Sequence, residues 1–444
     1  MSKYYSKWTF LLIFILVVLL CIGISKGKSL SAKYYSWLYK PLPAVSAGGF
    51  SLPGSYYETS IPPGKTDEYL MADYRLWVPN QSGEIRGLIV RQHGCGDPAA
   101  ATGLDYANDL QWQALARKHN FALLGTKYLT GDKPCEVWAL MNYFSKRAFL
   151  KALHMFAEKS HRPELETVPW VLWGHSGGAD WAAQMMQEYP DRTIAMVTAR
   201  SGGFQFFGTN PSLIGVPVLF MLGENDPYAY GVNKISQQAF SRYRSINALW
   251  SIAIEPNAAH ETGNSRFLAI PYLDAVINER LNESENSLRP IATTRGWLGN
   301  PVTHEIASAK QYKGNAQQAA WLPNKEVALK WQQYVTKGEI TPTQLPSAPT
   351  EIHALKQSNN EIVITWNYTP NLEDGLPSFR IYRGNSLVAR IKGQNHNFSD
   401  APEPVNFVLQ YSDKNGNSKS LYTVEAFNAL GKSVSYGAQV AEVK

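Results

Sequence analysis

Between residues 74 and 280, short apolar runs alternate with longer stretches of helical periodicity, and no other feature constrains the fold as much. The runs are 74–78, 87–92, 121–125, 170–173, 194–198, 216–222 and 249–254, and they read as buried strands. Helix-like segments near 105–118, 145–160, 177–189 and 265–280 separate them. A strand apolar on both faces needs cover on both sides, so the repetition predicts an α/β domain: a mostly parallel sheet flanked by helices. Residues 281–344 carry no such period, although Trp297, Trp321 and Trp331 are spaced along them, and they are expected to wrap back onto the sheet.

The pattern changes after residue 340. Residues 341–350, TPTQLPSAPT, hold three prolines and read as an extended linker. Beyond it, 361–366, 379–382, 387–391, 407–411, 421–427 and 433–440 are short alternating strands broken by Asp, Asn and Gly turns. That grammar predicts an all-β sandwich over 351–444. The tail resembles a fibronectin type III module, through the proline-rich entry, Trp366, the IYR of 381–383, and Tyr422, Val424 and Ala426 followed by Asn428 and Gly431. The resemblance implies that Tyr422 is a structural corner tyrosine.

At the other end, residues 8–24 carry no charge, with Lys3 and Lys7 before them and Lys26 and Lys28 after. This length lies between the apolar core of a secretory signal (~7–15 residues) and a full span (~20), so residues 1–28 read as a cleaved signal peptide or an uncleaved membrane anchor. The flanking lysines hold the N-terminus inside and export the rest to the periplasm, the cell surface or the medium. A lipid anchor on Cys21 is disfavoured by the bulky Leu19 and Leu20 before it. In an oxidising compartment Cys95 and Cys135 become candidates for a disulfide, the alternative being two unrelated buried thiols.

Composition narrows the chemistry. The 42 Lys and Arg against 36 Asp and Glu give a net charge of +6 spread along the chain, and charged residues are only 18%, so neither disorder nor a nucleic-acid partner is expected. Three cysteines exclude a disulfide-framework miniprotein and a Cys-ligated zinc ribbon. No HExxH, CxxC, P-loop or GxGxxG pattern occurs, so no metal or cofactor is implied.

Residues 174–178 read GHSGG, and the setting of this G-x-S-x-G pentapeptide matters more than the match itself. A buried strand, VPWVLW, ends at its first glycine, and an amphipathic helix, GADWAAQMMQEY, starts just after its serine. That is the strand-turn-helix of a nucleophile elbow, which makes Ser176 the candidate nucleophile. A serine hydroxyl needs an imidazole base oriented by a carboxylate, and on this scaffold the chain order is Ser, acid, His. His260, His304, His353 and His396 all follow a usable acid; only His260 stands right after the last sheet strand, in NAAHETGNS. Asp226 closes GEND at the end of the strand 216–222, where open α/β sheets place their sites, with Glu224 its rival. For the oxyanion, the backbone N–H of Gly177 is one expected donor, and Cys95, or failing that Gly96, in the HGCGD loop of 93–97 the other. His93 is expected to brace that loop. Trp112, Trp138, Trp170, Trp173 and Trp181 fall near predicted loops or the elbow, where a stacking platform and plain core packing both remain open.

Together, HGC at 93–95, WGHSGG at 173–178, GENDP and AHETG resemble the α/β-hydrolase superfamily, and within it secreted esterases similar to polyhydroxybutyrate depolymerases and feruloyl or acetyl-xylan esterases. The resemblance covers about 74–280 within an expected catalytic domain of 45–340, and implies hydrolysis of a small or polymer-linked ester through a covalent acyl-enzyme. A peptidase or acyltransferase can use the same triad, and a catalytically inactive binding or adhesion protein on the same scaffold is the alternative from another class.

Overall fold

The computed structural model describes residues 51–140, 145–200, 209–282, 287–373, 377–391, 409–435 and 437–442; the N-terminal hydrophobic segment with Cys21, and His396, lie outside them. Eight strands form the main sheet: β1 (Gly54–Ile61), β2 (Met71–Pro79), β3 (Gly87–Gln92), β4 (Phe121–Leu129), β5 (Trp170–His175), β6 (Thr193–Ala199), β7 (Val218–Gly223) and β8 (Trp250–Glu255). Their order is β1-β2-β4-β3-β5-β6-β7-β8, with β1 and β2 antiparallel and every pairing from β4 to β8 parallel. Every residue of β3, β5, β6 and β7 is buried, which is why these segments are near-continuous apolar runs.

Helices α1 (Leu110–His119), α2 (Ser145–Ser160), α3 (Gly177–Glu188), α4 (Val232–Arg244) and α5 (Ser265–Arg280) connect the strands. Asp109 caps α1 by accepting from the N–H groups of Gln111 and Trp112, and Asn120 ends it in the left-handed region at φ 55°. The expected helix near 105–118 is therefore two pieces, a 3-10 turn over Gly103–Asn108 and then α1, broken where Asp109 turns extended to form the cap. The chain leaves β3 for β4 on one side and reaches β5 on the other. The order thus reverses between β3 and β5, and this switch point is where open α/β sheets place their sites, outside the carboxyl ends of the strands.

Residues after α5 form β9 (Trp297–Gly299), β10 (Ile306–Ser308) and β11 (Ala320–Leu322), a three-stranded antiparallel sheet, and then α6 (Lys325–Lys337). They lie on the outer strand of the main sheet. The Trp331 indole donates to the Ile252 carbonyl (2.8 Å) and the Ser251 hydroxyl to the Trp321 carbonyl, so the β8 edge is closed off.

The C-terminal region contains β12 (Thr350–Lys356), β13 (Ile362–Asn367), β14 (Ser378–Arg383), β15 (Ser386–Ile391), β16 (Gln410–Asp413), β17 (Leu421–Phe427), β18 (Lys432–Val434) and β19 (Ala438–Glu442). β19 runs parallel to β12 and antiparallel to β17, joining a β12-β13-β16 half to a β14-β15-β17-β18 half. Alternate residues of both halves, among them Ile362, Ile364, Trp366, Phe379, Ile381, Tyr422 and Val424, make one separate core. Tyr422 donates to the Asp413 carboxylate (2.7 Å), which also pairs with Arg383 (2.9 Å). The proline-rich stretch before β12 is held in place: the N–H and hydroxyl of Thr343 reach Glu373 at 2.8 and 2.7 Å, and Asn428 donates to the Gln344 carbonyl (2.8 Å). Glu373 also pairs at 2.8 Å with Lys330 of α6, whose side chain is 3% exposed. Among the described residues no helix is long and apolar enough to cross a membrane.

Candidate active site

Ser176 stands at the switch point between β3 and β5. It follows β5 directly and adopts φ 50°, ψ −121°, a strained conformation for a residue with a side chain, and α3 begins at the next residue. The turn closes so tightly that a Cβ on Gly174 would lie 2.1 Å from the Gly178 carbonyl oxygen. This lifts the Ser176 hydroxyl off the end of the sheet while its N–H remains bonded to the Ala199 carbonyl (3.0 Å).

The Ser176 Oγ is 2.9 Å from Nε2 of His260, and His260 Nδ1 is 2.8 Å from Oδ2 of Asp226. A carboxylate only accepts, so Nδ1 carries the proton and Nε2 faces the serine with its lone pair. The Asp226 carboxylate is shielded from solvent, and its other oxygen accepts from the Tyr228 N–H (2.8 Å). Asp226 and His260 meet because the turns after β7 and β8 touch: a Cβ on Gly223 would lie 2.2 Å from the Ala259 carbonyl, and the Asn225 N–H donates to Ala258 (2.8 Å). Glu224, the rival acid, instead accepts from the Asn257 N–H (2.9 Å). His304 lies beside Thr336 and Trp331 of α6, and His353 on β12 of the sandwich.

The loop after β3 forms the opposite wall. His93, 1% exposed, places Nδ1 2.6 Å from the Gly94 carbonyl and accepts the Tyr128 N–H at Nε2 (2.9 Å), so it is a neutral brace between β3 and β4. Cys95 and Cys135 form a disulfide, with Cα atoms 5.3 Å apart. This bridge packs directly on Gly177, where a Cβ would meet the Cys95 sulfur at 2.3 Å. The first residue of α3 thus has its backbone facing the HGCG loop with no side chain between them.

The five tryptophans weighed as a platform are interior: Trp112, Trp138, Trp170, Trp173 and Trp181 are each 2% exposed or less. Trp112 and Trp173 both set their rings against the buried Arg91 guanidinium, at 4.5 and 4.7 Å, and burial pushes its pKa down to about 10. Trp138 stacks on Tyr128 (5.1 Å), and Trp170 and Trp181 both meet Phe149 edge-on. Among the described residues, one exposed aromatic that the sequence reading missed stands against the candidate base. Tyr228 (61% exposed) sets its ring 4.8 Å from that of His260, and Tyr230 (82%) follows it. Their position two and four residues past Asp226, in DPYAY, was the available signal. Among the described residues no cluster of His, Cys, Asp and Glu could hold a metal ion.

No family model matches the chain, and no curated protein matches it. Among solved structures it is similar to a ferulic acid esterase (10% identity over 51% of this chain and 100% of that one, TM-score 0.39). It is also similar to an S-formylglutathione hydrolase from Agrobacterium tumefaciens (11%, 52% and 95%, TM-score 0.36) and one from Staphylococcus aureus (11%, 52% and 98%, TM-score 0.31).

Proposed function

We propose that this chain is an α/β hydrolase that cleaves carboxylic esters through Ser176, His260 and Asp226. The observation that carries the reading is the continuous hydrogen-bonded path from Ser176 Oγ through both ring nitrogens of His260 to Asp226, at 2.9 and 2.8 Å. Ser176 attacks the ester carbonyl as His260 Nε2 takes its proton. The oxyanion forms against the N–H groups of Gly177 and Cys95, and His260 returns the proton to the departing alcohol. Water then enters by the same path in reverse and releases the acid. Asp226 fixes the tautomer and stabilises the transient imidazolium.

Around this core the reading extends to an exported enzyme, with residues 1–28 as signal or anchor, and to ester groups carried on a polymer, with the fibronectin type III-like sandwich as an accessory module. The disulfide between Cys95 and Cys135 supports an oxidising compartment. Hydrolysis of p-nitrophenyl acetate by wild type and Ser176→Ala tests the chemistry: the variant is expected to lose at least 1,000-fold in kcat. Full activity in that variant excludes the mechanism.

A further inference from the structure

The turn carrying His260 is held by a buried cluster outside the triad. Arg200, the residue after β6, is fully buried and sits at φ 51°. Its Nε donates to the Glu261 carbonyl (2.8 Å) and its Nη2 to Oε2 of Glu255 (2.5 Å), the last residue of β8. The Tyr334 hydroxyl of α6 donates to the same oxygen (2.8 Å), and the other Glu255 oxygen accepts from the Asn264 N–H (3.0 Å). Gly263 at φ 53° lets the turn close over this cluster: a Cβ there would lie 2.5 Å from Glu255 and 2.7 Å from Arg200. The Asn264 side chain reaches the Gly338 carbonyl at the end of α6 (2.8 Å), and His175 Nε2 donates to the carbonyl of His260 itself (2.7 Å). The turn is therefore gripped on both sides of Glu261.

We infer that Arg200, Glu255 and Tyr334 are positioning residues for His260, and that residues 287–340 complete the catalytic site from outside by supplying Tyr334 and Gly338. This deepens the hydrolase reading and rests on it. A buried ion pair gains little net stability over apolar packing of the same volume, whereas its fixed geometry defines where its partners stand. Here the two hydrogen bonds described between cluster side chains and main chain, Arg200 to the Glu261 carbonyl and the Asn264 N–H to Glu255, both fall within four residues of the candidate base. Burial pushes the Tyr334 hydroxyl well above its ordinary pKa, so it stays a donor; burial opposes the Arg200 charge, yet the Glu255 carboxylate beside it holds it protonated.

The test is a set of full-length variants, Tyr334→Phe, Glu255→Gln and Gly263→Ala. Val335→Ala, at the buried apolar neighbour of Tyr334 on α6, removes packing without removing a hydrogen bond and serves as the control for plain destabilisation. Active serines are counted with a fluorophosphonate, and kcat and KM on p-nitrophenyl acetate are expressed per counted site. The expected result is a kcat about 10-fold lower for Tyr334→Phe and roughly 100-fold lower for Glu255→Gln, with KM within about twofold. Val335→Ala is expected to lower the melting temperature with kcat per site unchanged. Cluster variants that lose melting temperature or site count while keeping kcat per site overturn the inference, because the cluster is then structural only. A folded wild type that the probe does not titrate overturns the hydrolase reading and this inference with it.

Discussion

Ser176 and His260 face each other across 2.9 Å but are placed in opposite ways. The serine is set by its neighbours in the chain: strand, two close-approach glycines and helix lie within a few residues, and the pentapeptide carries nearly all the information. The histidine is set by distant groups: Asp226, His175, Arg200, and Tyr334 some seventy residues further on. One half of the site is a local motif and the other a product of the whole fold, so damage to the two halves should look different.

The largest expected effect comes from the link between the halves. Asp226→Asn keeps the shape but offers an N–H to Nδ1, favouring the wrong tautomer, and kcat should fall about 10,000-fold with the melting temperature little changed. Steady-state kinetics beside a thermal melt checks this. On the local half, Gly174→Ala forces a Cβ to within 2.1 Å of the Gly178 carbonyl, and calorimetry should show a loss of about 3 kcal/mol together with activity. Replacing both Cys95 and Cys135 with Ser opens a link across 40 residues and should cost about 3 to 4 kcal/mol by the loop-entropy relation, measured by denaturant titration.

The smallest effect concerns the join between α6 and the sandwich. Burial pushes the Glu373 carboxyl up, but donors from Lys330 and Thr343 outweigh it and hold the pKa below its ordinary value. A carboxylate depressed in the folded state stabilises above its unfolded pKa, and that contribution disappears as pH falls through the folded value. Wild type should therefore lose an increment of stability below about pH 4.5 that Glu373→Gln lacks, read as converging melting temperatures in acid.

This asymmetry also explains what the sequence disclosed. The strands β3 to β8 were legible because burial on both faces leaves an apolar run, and the elbow because strand, pentapeptide and helix are consecutive in sequence; only the Gly174 requirement arises inside the motif, since Gly177 and Gly178 are held small by the end of β3 and the loop after it. β1 was not foreseen, since GSYYETSI is half exposed and pairs only with β2. The three-residue strands β9 to β11 are too short to show a period, and their reason for existing, the β8 edge, lies more than forty residues earlier. The tryptophans were ambiguous because a core indole and a surface indole have the same neighbours in sequence. Arg200 and Glu255 stood at strand ends with no motif to mark them; only the folded chain makes them partners.

The most direct measurement is to label the folded protein with a fluorophosphonate and map the adduct by peptide mass spectrometry, with Ser176→Ala in parallel. The account predicts one adduct, on the peptide containing Ser176, absent from the variant. An adduct on another residue, an equal adduct in the variant, or no adduct on a folded wild type would contradict it.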